Sequence, residues 1–78
     1  MALADVLTER ALALAGDAFD DQAAVAELRD LAHGDREALD HAIEICLVRP
    51  VTLATRQRAI ELLANALYGE LATGFGDA

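Results

Sequence analysis

Three side chains on one stretch, Glu37, His41 and Glu44, stand at spacings of four and three residues, and a helix carries such positions on one side. Two carboxylates and an imidazole so placed make half of a carboxylate-bridged dimetal site. The other half needs matching acids on further helices, and the chain offers only Glu27, Glu61 and Glu70 at scattered positions. His41 and Cys46 fall on nearly opposite sides of the same helix and cannot share a metal. The acid-rich stretch GDAFDDQAAVAE fails as a calcium loop. Counted from Asp17, Gln22 stands where the turn needs glycine and Leu28 where the bidentate glutamate belongs. No metal and no cofactor is expected.

Nucleophilic chemistry is equally poorly supplied. The single cysteine, Cys46, lies in the apolar run ICLV, where a thiol is held protonated and inert. It also rules out an intrachain disulfide. There is no serine and no lysine among the 78 residues. Size and acidity resemble an acyl carrier protein, whose second helix must begin with a serine to bear its prosthetic arm; a chain with no serine lacks that chemistry. An enzyme is not expected.

The stretch LVRPVTLATRQR, Leu47 to Arg58, holds three of the six basic residues. Thr52, Thr55, Arg56, Gln57 and Arg58 near a helix start are types that read base edges in a helix-turn-helix. Nucleic-acid affinity rests on phosphate neutralisation, and here six arginines oppose fourteen acids for a net charge of −8. Pro50 as helix breaker and Thr52 as cap account for the stretch as a corner between helices. A nucleic-acid module is the least favoured reading.

The helices that position these groups follow from apolar spacing, since β-branched residues never alternate with polar ones. Helix 1 is predicted over about 2–15, with Leu3, Val6, Leu7, Ala11 and Leu14 inward and Leu12 on the polar side. Helix 2 begins behind Asp17 or Asp20 and closes at His33-Gly34, with Ala24, Val25, Leu28, Leu31 and Ala32 inward. Helix 3 begins behind Asp35 and runs to about Val48, with Leu39, Ala42, Ile43, Cys46 and Leu47 inward. Helix 4 runs from the Thr52 cap to about Ala72. It carries a main stripe of Leu53, Ile60, Leu63, Ala64, Leu67 and Leu71, and a second stripe of Ala59, Leu62, Ala66 and Gly69. The fold expected is all-α, a compact bundle of four helices with the C-terminal helix longest and central. Residues 1–72 make one helical domain and 73–78 a flexible tail, with Phe75 in position to fold back.

The apolar arc of helix 4 exceeds that of an ordinary surface helix, and a core of alanine and leucine in so short a chain is thin. The reading favoured is therefore a non-enzymatic protein–protein interaction module. It self-associates, as a homodimer, through Ala59, Leu62 and Ala66 with Tyr68 at the rim. The alternative follows from charge. Residues 1–44 hold eleven of the fourteen acids, and Glu37, Asp40 and Glu44 share a side of helix 3. That face suits a basic protein, as in an antitoxin- or immunity-like neutralising partner. The opening MALADVLTER lacks the basic start of a signal peptide, no apolar run approaches a membrane span, and the bias to Ala, Arg, Gly and Asp suits a GC-rich bacterial genome. A cytoplasmic protein is expected.

Overall fold

The computed structural model describes residues 2–17 and 20–77, with side chains as far as Tyr68. Four helices follow one another: α1 (Leu3–Gly16), α2 (Asp21–Ala32), α3 (Arg36–Val48) and α4 (Leu53–Asp77). There is no strand among the described residues. The starts of α2, α3 and α4 are set by cap chemistry, whereas Ala2 ahead of α1 offers no side-chain cap. The Asp20 carboxylate accepts from the Gln22 N–H at 3.3 Å, that of Asp35 from the Ala38 N–H at 3.0 Å, and Thr52 Oγ1 from the Thr55 N–H at 3.2 Å. Each satisfies one of the amides that a helix start leaves without a partner.

Their ends are set by backbone chemistry. His33 takes the left-handed conformation with φ 52° and Gly34 follows at φ 84°, so the chain reverses within a few residues of α2. Arg49 is extended at ψ 141°, as a residue ahead of proline must be, and α3 stops there. Nothing comparable stops α4. Helix continues through 73–77, past the expected end at Ala72, because Gly74 and Gly76 weaken a helix by about 1 kcal/mol each without breaking it. The side chains of Gly69 onward, Leu71 and Phe75 among them, lie outside the described residues, as does Phe19.

The helices form a bundle in which α4 packs on each of the other three. It shares that central place with α1; α1, α3 and α4 pack mutually, and α2 lies in the groove of α1 and α4, scarcely meeting α3. Direction follows from the cross-links. Asp21 reaches Arg58 and Arg29 reaches the Ala66 carbonyl, so α2 and α4 run the same way. Half of the fourteen residues in the core cluster are alanine, which lets the helix axes come close but buries little surface per side chain. The large buried side chains are Leu7, Leu14, Leu28, Leu62 and Leu63.

Helical phase and observed burial part company at several places. In α1 the buried line is Ala4, Leu7, Thr8, Ala11 and Leu14, while Leu3 and Val6 are half-buried. The helix is turned toward Thr8, whose hydroxyl donates to the Ala4 carbonyl at 2.7 Å and approaches the Ala42 carbonyl at 3.4 Å, so its burial leaves no donor unsatisfied. Leu31, Leu47 and Leu53, all expected inside, are 37%, 57% and 64% exposed. Each stands in the first or last turn of its helix. In α4 the deepest residues are Ala59, Leu62, Leu63 and Ala66, with Ile60, Ala64 and Leu67 half-buried beside them. Its wide apolar arc is covered within the chain. None of the helices, over the described residues, is long and apolar enough to cross a membrane.

Candidate functional site

The stripe expected to mediate self-association is core. Ala59, Leu62 and Ala66 are 0%, 2% and 7% exposed in the single chain, so they offer no surface to a second copy; only Tyr68, at 50%, reaches solvent. The reason is the packing of α4 against α1, α2 and α3 together, which takes up both of its apolar stripes at once. Sequence alone shows that a helix needs two partners, and not whether the second belongs to another chain.

The surface that does stand open lies at the corner between α3 and α4. Leu47, Val48 and Leu53 are 57%, 80% and 64% exposed, and Pro50 beside them is exposed as well. Three large apolar side chains exposed within seven residues of one corner, in a protein with so few large side chains, are the informative observation, whereas a single exposed leucine is not. The signal for it in the sequence is positional. Leu47 and Val48 precede Arg49-Pro50 at a helix end, and Leu53 is the first residue of the next helix.

The corner is held by its arginines. Arg49 pairs with Glu9 of α1, Arg56 Nη2 donates to the Arg49 carbonyl at 2.8 Å, and Arg58 Nη2 donates to Asp21 at 2.7 Å. All three basic residues of LVRPVTLATRQR thus have intramolecular partners, which supports reading the stretch as a corner. Between α1 and α2, Arg10 makes a two-pronged contact with Glu27, with one prong at 3.1 Å. That hydrogen bond holds the Glu27 carboxyl below its ordinary pKa and raises that of Arg10.

The acidic side chains proposed for a basic partner, Glu37, Asp40 and Glu44, are all exposed, and none forms an ion pair among the described residues. Their spacing places them on the same outward side of α3 as His41 and Val48, with Leu47 at its edge, all exposed. This face is acidic over its first turns and apolar at its last. Cys46 faces inward and is fully buried, and burial pushes its thiol pKa up. No group of three His, Cys, Asp or Glu side chains among the described residues could hold a metal. Comparison of the chain with protein-family models, curated proteins and solved structures finds no match.

Proposed function

We propose that this chain is a non-enzymatic interaction module that self-associates as a homodimer through the α3–α4 corner, with Leu47, Val48, Pro50 and Leu53 of one copy against the same residues of another. The observation that carries the reading is the concentration there of three of the five large apolar side chains exposed among the described residues. Charge supports the same place. Residues 45–78 hold three acids and three arginines, so this part of the chain adds no net charge to the contact. A C2 contact brings each residue against its own kind or its neighbours, which suits a patch of uniform apolar character.

Burying an exposed leucine or valine yields about 1.5–3 kcal/mol, and three per copy set against an association cost of about 4–15 kcal/mol leave a narrow margin. The dimer is therefore weak and depends on concentration. Light scattering over a dilution series reaching about 1 mM, where an association of about −4 kcal/mol is half formed, tests it. The mass rises toward two chains in the wild type and stays at one in Val48→Asp. A wild-type mass of one chain throughout the series rejects the reading. We place the protein in the cytoplasm, where a buried free thiol such as Cys46 stays reduced.

A second reading is favoured by the unpaired carboxylates. Glu37, Asp40 and Glu44 lie in line with Leu47 and Val48 on α3, and a basic protein with an apolar anchor fits that sequence of surfaces. Its binding weakens with salt and with replacement of the three acids by glutamine. Unchanged binding after those replacements leaves the acids as a solvated face.

A further inference from the structure

At the other end of α3, about 20 Å away along its axis by helix rise, the α2–α3 turn and α4 enclose a groove of about 400 Å³. Its apolar lining is Ala32, Leu39, Ala66 and Leu67, and Arg29 and Arg36 stand at it from the two sides of the turn. The volume is within the range of small-molecule sites.

The two arginines are unlike three of the others. Arg10, Arg49 and Arg58 each pair with a carboxylate. Arg29 pairs with no carboxylate among the described residues; its Nε donates to the Ala66 carbonyl at 3.5 Å, a long contact that brings its guanidinium across to α4. Arg36 makes no hydrogen bond or ion pair among the described residues, although Asp35 and Glu37 flank it and Asp40 is one turn on. In a chain with fourteen acids, two arginines that pair with no carboxylate among the described residues converge on one apolar groove.

We infer that this groove binds a small amphiphilic carboxylate, its headgroup between Arg29 and Arg36 and its aliphatic tail along Ala32, Leu39, Ala66 and Leu67. A guanidinium matches a carboxylate with paired, charge-assisted hydrogen bonds. Bare phosphate gains nothing from the apolar lining, and each further negative charge is opposed by the net charge of −8. Gly34 at the turn contributes no side chain, and a Cβ built there meets nothing within 4 Å, so the mouth is open. None of these residues belongs to the α3–α4 corner, so the site stands or falls apart from self-association.

The test is titration of the intact chain with octanoate, below its micelle concentration, followed by backbone amide shifts. The expected result is saturable change confined to the neighbourhoods of residues 29–39 and 66–67. Octanol, acetate and inorganic phosphate, which lack the charge, the tail and both tail and carboxylate respectively, bind at least tenfold more weakly. The double variant Arg29→Gln/Arg36→Gln loses at least tenfold in octanoate affinity with its helical circular dichroism unchanged, and Val48→Asp binds as the wild type does. Octanol binding as well as octanoate, an undiminished affinity in the double variant, shifts centred on the corner, or no saturable change at all each overturns the inference.

Discussion

The two ends of α3 each carry a leucine, Leu39 and Leu47, and the two leucines come out as opposites. At its start, Asp35 caps the helix, Gly34 supplies the left-handed turn, and Leu39 is 4% exposed beneath the groove. At its end Leu47, two turns on and assigned by spacing to the same inner face, is 57% exposed. The difference lies in the neighbours. The turn end sits over α4 at Ala66 and Leu67, whereas at the corner end, where the chain turns at Arg49 and Pro50, the bundle covers Cys46 and leaves Leu47 exposed. Helical phase fixes the direction in which a side chain points. Whether anything meets it there depends on how far the other helices extend.

Leucine truncation measures that contrast most strongly. Leu39→Ala is expected to destabilise by about 2–5 kcal/mol, and Leu47→Ala by no more than about 0.5 kcal/mol, in denaturant unfolding of the dilute chain. Equal losses would mean the corner is covered in the monomer. The turn comes next. Gly34→Ala costs about 1–2 kcal/mol through conformation alone, because φ is 84° and the new methyl has room. Removing a cap at either end, Asp35→Ala or Thr52→Ala, costs about 0.5–2 kcal/mol and by similar amounts, since the two bonds measure 3.0 and 3.2 Å.

Smaller effects follow from titration. The folded pKa of Glu27 is depressed by its bond to Arg10, so its contribution is complete above the ordinary value of 4.5 and is lost as pH falls below it. Glu27→Gln accordingly makes acid unfolding less steep below that pH. Cys46 has the opposite sign. Its folded pKa is raised by burial, so stability is full below 9.0 and declines as pH climbs past that value toward the folded one. Cys46→Ala removes that alkaline decline, and in the wild type the thiol resists alkylation until the bundle opens.

Much of this architecture is legible in the residues. Asp20, Asp35 and Thr52 mark helix starts by cap chemistry, and Gly34 and Pro50 mark the stops, because those rules act within a few residues. The burial of Thr8 was not legible, since a threonine on an apolar face gives no sign that a carbonyl of another helix waits for it. The fate of Ala59, Leu62 and Ala66 was hidden for the same reason: covering them is a property of how the other three helices pack on α4, which spacing within α4 does not contain. The exposed corner and the arginine-edged groove are likewise products of assembly, in which residues far apart in the chain meet or fail to meet.

The most direct test of the account is the solution mass of the wild type beside Val48→Asp, by light scattering across a concentration series at low and high salt. The account predicts a wild-type mass that rises toward a dimer with concentration and persists at high salt, with the variant fixed at one chain and equally helical. A variant that dimerises as the wild type does, or a wild type that remains a single chain at every concentration, contradicts it.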